Sequence, residues 1–249
     1  IINIVRSAAG LVTATLTADA TLNDFEAGQL VVVRGLSDAS LNGTFVVNSA
    51  TGTQLTYYAA GPVINSTAMS GYAGGHYAAL SAWAADFGGT SGDLVNENIR
   101  MTAMCYDDWV NGLDDAVAIN GWNTDATRYV TVTVAPGDRH NGTPAGGFWM
   151  KNTAGAEFAA MIGVSSTYAV LEYLELAVSN TGIGVMTTAN STTVRNCIVH
   201  DTDTGYGIMC SGEYGHRIYN NVVYDMDYGI FVPFTFGGEI FNNTVYSCV

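Results

Sequence analysis

Four segments decide the fold: Val170-Leu171-Glu172-Tyr173-Leu174, Val194-Arg195-Asn196-Cys197-Ile198, Ile218-Tyr219-Asn220-Asn221-Val222 and Ile240-Phe241-Asn242-Asn243-Thr244. They align at offsets of 24, 24 and 22 residues. A second motif recurs between them as Gly184-Val185, Gly207-Ile208 and Gly229-Ile230. A fixed period of this size is the mark of a stacked, solenoid architecture. Each period carries short runs of alternating apolar residues and no helical pattern, so each strand pairs in parallel with its counterpart one coil on. Asn196, Asn220 and Asn242 then stack, as do Asn221 and Asn243, and amides stacked in this way bond along the axis.

Upstream of the clean repeats the strand signals loosen. Ile99–Cys105, Ala116–Ile119, Tyr129–Val134, Gly147–Met150 and Ala159–Val164 read as strands, with insertions over 106–115 and 135–146. At ~24 residues per coil the stretch from Glu97 makes about six coils. Before it, residues 77–87 place Leu80, Trp83 and Phe87 on one face of an amphipathic helix that Gly88-Gly89 ends. A helix in this position caps the hydrogen-bonding end of the stack. The first 70 residues carry short alternating strands with tight turns, Asn42-Gly43 among them, which predicts a small antiparallel barrel or sandwich. The fold class expected is all-β: a parallel β-helix, right-handed by the resemblance given below, preceded by a small antiparallel β-barrel or sandwich domain and one capping α-helix. The divisions are 1–72 for the β module, 73–96 for linker and capping helix, and 97–249 for the β-helix. Both chain ends read as cuts.

The chain has 249 residues, 12% of them charged, and a formal net charge of −14, with Lys151 its lone lysine. Without a basic patch neither a nucleic-acid partner nor an anionic membrane is expected, because both need clustered Lys and Arg. No run approaches the ~18 apolar residues that span a bilayer. An acidic, lysine-poor surface points to a protein working outside a cell. Cys105, Cys197, Cys210 and Cys248 form no C-x-x-C pair, so no metal site or redox motif is expected. Three disulfide pairings are formally open, and buried free thiols are the simpler reading. The chain lacks the phosphate-binding loops, dinucleotide fingerprint, zinc-protease motif and nucleophile elbow of common enzyme classes. No cofactor is expected.

Asp201, Asp203, Asp225 and Asp227 are the candidate catalytic residues. At the 24-residue offset Asp201-Thr202-Asp203 stacks on Asp225-Met226-Asp227, and four carboxylates at one edge suit a glycosidase acid and base or a cation site. The same residues are ordinary turn formers, and the preceding coil has Ala177 and Ser179 at these positions. His200, whose counterpart one coil on is Tyr224, is a weaker candidate. So is the loop Pro136-Gly137-Asp138-Arg139-His140-Asn141-Gly142-Thr143. Dense aromatics over 219–246 predict an exposed aromatic patch able to stack on sugar rings or on another subunit.

Two resemblances follow from these residues. The repeats resemble the right-handed parallel β-helix of the pectate-lyase-like superfamily, which implies the fold and leaves lyases, hydrolases, adhesins and phage tailspikes as roles. Its lyases pair calcium-binding carboxylates with a basic residue. Arg195 and Arg217 lie on nearby coils here, but the superfamily pattern has no residue-by-residue match. Residues 27–35, 41–47 and 55–61 resemble a small β module of phage structural proteins that serves for attachment. The resemblance implies a fibre, spike or capsid decoration component. It would be a homotrimer, contacting other virion proteins through residues 1–72 and a cell-surface glycan through the β-helix. The alternatives are a polysaccharide hydrolase or lyase of tailspike type and a secreted bacterial adhesin.

Overall fold

The computed structural model describes residues 1–16, 27–51, 53–69, 72–75, 77–88, 92–153, 159–179, 182–200, 204–212, 214–233 and 236–248. The chain divides into two compact units, 1–78 and 79–249.

The first unit is one antiparallel sheet. Its strands are β1 (Asn3–Arg6), β2 (Leu11–Thr15), β3 (Leu30–Arg34), β4 (Gly43–Thr51), β5 (Gln54–Tyr58), β6 (Ile64–Thr67) and β7 (Tyr72–Gly75). They run in the order β6-β1-β2-β5-β4-β3-β7. The stretch 61–75 supplies both edge strands, and β7 pairs with β3 through Val33 and Ala73. Alternate residues such as Ile4, Val12, Val31, Val33, Leu55 and Tyr57 build the core. Arg6 is 0% exposed among them. Its guanidinium donates to Pro62 O (2.7 Å), Ser40 Oγ (2.8 Å), Ala60 O (3.2 Å) and Asp38 Oδ2 (3.1 Å). A buried charge persists only when paired and fully bonded in this way.

The second unit is a parallel solenoid. Its first sheet stacks β8 (Met101–Cys105), β11 (Val130–Val134), β14 (Val170–Glu172), β17 (Thr193–Arg195), β20 (Arg217–Tyr219) and β23 (Glu239–Phe241). Its second sheet stacks β9 (Leu113–Asp114), β12 (Trp149–Lys151), β15 (Glu175–Ala177), β18 (Ile198–His200), β21 (Val222–Met226) and β24 (Thr244–Cys248). The third holds β10 (Val117–Ile119), β13 (Ala160–Val164), β16 (Ile183–Thr187), β19 (Tyr206–Cys210) and β22 (Tyr228–Phe231). Numbering coils by their first-sheet strands gives six, in line with the repeat count.

The register corrects one offset. Leu171 pairs with Val194, so coils 3 and 4 are separated by 23 residues, whereas Val194 pairs with Ile218 and Ile218 with Ile240 at 24 and 22. The reason lies at the corner after the first sheet. Tyr173, Asn196, Asn220 and Asn242 share a left-handed backbone there, with φ of 61°, 54°, 58° and 53°. Tyr173 is thus the counterpart of Asn196. Asn tolerates this conformation better than other non-glycine residues, which accounts for its recurrence.

The side-chain ladder belongs to the next residue. Asn221 is 1% exposed. Its Oδ1 accepts from Cys197 N (3.0 Å), and its Nδ2 donates to Val194 O (3.0 Å) and Asn243 Oδ1 (3.0 Å). Asn243 Nδ2 in turn donates to Ile218 O at 2.8 Å.

The Gly-Val/Ile motif has a packing cause. A Cβ on Gly184, Gly207 or Gly229 would sit 2.5, 2.4 or 2.5 Å from the Val199, Val223 or Val245 side chain. The third sheet approaches the second too closely there for any side chain.

Two helices stand before the first coil, where one was expected: α1 (Leu80–Phe87) and the short α2 (Leu94–Glu97). Helix α1 packs on β10, the edge of the third sheet, and Trp83 stacks on Trp122 at 5.7 Å. Asp115 Oδ2 accepts from Ser81 N in its first turn (2.8 Å), and Asp93 caps α2 through Asn96 N (3.0 Å). All four cysteines are free. Burial pushes the thiols of Cys105, Cys197 and Cys210 up to about 12.

Candidate functional site

The second sheet carries the site. Met150, Leu176, Val199 and Val223 are its inward residues, all fully buried. Strand alternation then turns their neighbours outward: Trp149 and Lys151, Glu175 and Ala177, Ile198 and His200, Val222 and Tyr224. In-register pairing builds one outward row from Lys151, Ala177, His200, Tyr224 and Tyr246.

Rings fill the later part of that row. His200 stacks on Tyr224 at 5.1 Å and 2° between planes, and Tyr224 stacks on Tyr246 at 4.9 Å and 4°. The spacing follows from the ~4.8 Å between neighbouring strands, which seats side chains of successive coils face to face.

Glu175 points outward yet is 1% exposed, and His200 is 4% exposed. His200 Nε2 lies 3.2 Å from Glu175 Oε1. This is a hydrogen bond with neutral imidazole and an ion pair with protonated imidazole. The carboxylate also accepts from Ala145 N, at 2.8 Å on Oε1 and 2.9 Å on Oε2. Ala145 belongs to the insertion between β11 and β12, which folds back as a strap. The strap's neck is closed by Phe148 N donating to Asp138 O at 2.7 Å. The Arg139 guanidinium lies 3.6 Å from the centre of the Tyr173 ring, and His140 Nε2 meets Asn196 O at 2.9 Å. The strap is therefore pinned on coil 3 by Arg139 and Ala145 and on coil 4 by His140. Ala145 is held at φ 53°, a conformation that costs a non-glycine residue and persists where surrounding bonds impose it.

Strap and sheet enclose an open cleft of about 330 Å³, lined by Pro144, Ala145, Trp149, Glu175, Ala177, His200 and Tyr224. The surroundings are acidic. Burial, then the carboxylates of Asp138, Asp108 and Glu175, push the Asp107 carboxyl upward. Burial lowers His140, which Asn196 O and Glu175 partly offset.

Of the carboxylates singled out from sequence, Asp201 and Asp203 lie outside the described residues. Asp225 sits in β21 with φ 52°, and Asp227 follows that strand. Neither lines the cleft. The register also changes what lies below them: Ala177 is the neighbour of His200, where the 24-residue offset puts it beneath Asp201. Both arginines have structural partners. Arg195 Nε donates to Glu172 Oε2 (2.7 Å) and its NH1 to Tyr219 Oη (2.9 Å), while Arg217 Nε donates to Glu239 Oε2 (2.8 Å).

Residues 146–249 match the family model described as a right handed beta helix region. The C-terminal part of the chain is a right-handed β-helix. The match takes in every second-sheet strand from β12 onward, and so most of the cleft. No curated protein and no solved structure matches the chain. Within the β-helix, sequence reasoning missed Glu175, Trp149 and Ala145. The signal for Glu175 was a lone carboxylate in an outward row that otherwise holds Trp149, Ile198, Val222 and Thr244, 25 residues before His200.

Proposed function

We propose that the β-helix is an adhesive, saccharide-holding scaffold, with the strap-covered cleft of the second sheet as its contact. The observation that carries this is the state of Glu175. Its carboxylate is buried and already engaged by Ala145 N and His200. A general acid or nucleophile needs a carboxyl aimed at the scissile bond, with a partner roughly 5 to 10 Å across from it. Glu175 is instead spent on shaping the strap, and it is the sole carboxylate among the described lining residues. What the cleft does offer is ring faces and a fixed wall, the ordinary means of holding a sugar.

The setting proposed is a fibre, spike or decoration component of a virus particle, homotrimeric and attached through its first unit. The resemblance of residues 27–35, 41–47 and 55–61 to the phage module supports that setting. The test for the adhesive role is electrophoresis of the full chain through gels containing bacterial surface polysaccharides, with reducing ends and unsaturated uronates assayed in parallel. Retardation without new ends is expected. Steady release of either product, lost in Asp225→Ala, would replace the adhesive reading with the tailspike-type hydrolase or lyase.

A further inference from the structure

The strap over 135–148 meets the β-helix at three points. The Arg139 guanidinium lies over the Tyr173 ring at 3.6 Å, His140 Nε2 donates to Asn196 O at 2.9 Å, and Ala145 N donates to the Glu175 carboxylate at 2.8 and 2.9 Å. The strap also supplies Pro144 and Ala145 to the lining of the cleft. Glu175 and His200 are 1% and 4% exposed, so a ligand meets the walls of the cleft, Pro144, Trp149 and Tyr224, and not the buried pair beneath them. One of those walls is present only while the strap is docked.

Of the three attachments, His140 is the one whose ordinary titration lies between pH 5.5 and 7.5. Its Nε2–H is spent on Asn196 O, and Nδ1 is buried with no hydrogen-bond partner. Protonation places a second N–H and a positive charge at an atom that no acceptor reaches, which is costly. Burial accordingly holds the imidazole below its ordinary 6.5, with Asn196 O and Glu175 partly offsetting it. A lowered folded value means that docking is at full strength above pH 6.5 and weakens as pH falls through the folded value. The other ionisable groups on the packed elements do not release the strap in this way. Arg139 keeps its charge throughout and engages Tyr173 and Val134 O, and Arg195, beside Asn196, is bonded to Glu172. His200, on taking a proton, pairs with Glu175 Oε1 and so holds the carboxylate that anchors Ala145 N. Asp107, on taking one, relieves its repulsion with Asp138, Asp108 and Glu175.

We infer that the strap is a pH-sensitive clasp on the saccharide contact, holding the ligand at neutral pH and letting it go in acid through His140. The inference rests on the adhesive reading above and adds its regulation.

Titration calorimetry of the full chain at pH 7.5 and 5.5 tests this, with neutral gluco-, manno- and xylo-oligosaccharides and oligogalacturonate as probes. At least one series binds at pH 7.5, and the same series binds roughly threefold or more weakly at pH 5.5 while the circular dichroism spectrum is kept. His140→Gln retains a donor for Asn196 O and takes up no proton, so it keeps the affinity at pH 7.5 and loses the drop. Arg139→Ala loosens the clasp at a group that does not titrate here, and lowers the affinity at both pH values. In the unaltered chain, saturating oligosaccharide slows exchange of the Ala145 amide at pH 5.5, because ligand and docked strap stabilise one another. This last reading stands where a variant misfolds. Equal affinity at the two pH values, a drop that persists in His140→Gln, full affinity in Arg139→Ala, or unchanged Ala145 exchange overturns the clasp and leaves the adhesive reading standing. Absence of binding to every saccharide at pH 7.5 overturns the clasp together with the adhesive reading.

Discussion

At the scale of single residues, the positions that matter most are those whose neighbours leave no alternative. Gly207 is one. A Cβ there would lie 2.4 Å from Val223 Cγ1 and 2.5 Å from Gly229 O, and the second contact is backbone. Gly207→Ala is expected to cost about 1–3 kcal/mol, the range for overpacking a filled core. A lower midpoint in urea denaturation with an unchanged slope would register it. Asn221 is another. Asn221→Ala strands Cys197 N inside the stack, and an orphaned buried group costs about 1–3 kcal/mol. The same denaturation experiment reads that loss. The cysteines give a chemical check. With Cys105, Cys197 and Cys210 buried and their thiols near 12, a thiol reagent at pH 8 should label at most Cys248 in the native chain and all four in denaturant.

At the scale of elements, the strap over 135–148 is the part whose stability should respond to pH. Burial holds His140 below its ordinary 6.5, so the folded strap disfavours the protonated ring. A depressed folded value means that stability is present above pH 6.5 and is lost as pH falls through the lower folded value. Asp107 works the other way, since its raised carboxyl relieves repulsion as it takes up a proton. Amide hydrogen exchange at Ala145 and Phe148 should therefore quicken, relative to core amides, on going from pH 7.5 to pH 5.5. In His140→Gln that step should vanish; its persistence would assign the effect to another group.

The same element shows what the sequence could reveal. Strands and coils were legible because apolar alternation and the 22- to 24-residue repeat act locally and recur. Glu175 was not legible as a site residue. Its partners are Ala145, 30 residues earlier in an irregular insertion, and His200, one coil later. The pairing of His200 with Ala177 was also hidden. Aligning apolar residues shifts coil 3 by one, whereas the backbone aligns Tyr173 with the corner asparagines by a shared left-handed conformation. A one-residue slip of this kind reassigns every outward neighbour.

At the scale of the whole molecule, two units with separate cores account for the chain. Residues 79–249 should keep their β-sheet signal and cooperative melting when expressed without residues 1–78. Collapse of that fragment to a disordered spectrum would show that the first unit is required for the β-helix to fold. The β-helix provides the second sheet, on which the strap is held over the cleft by Ala145 N and Glu175. The most direct measurement is a crystal structure of the full chain soaked with the tightest neutral oligosaccharide. The sugar is expected in the cleft of the second sheet, against Trp149, Tyr224 and Pro144. A sugar seated elsewhere, for example on the Tyr206, Tyr228 and Phe231 rings of the third sheet, with the cleft left vacant, would contradict the account.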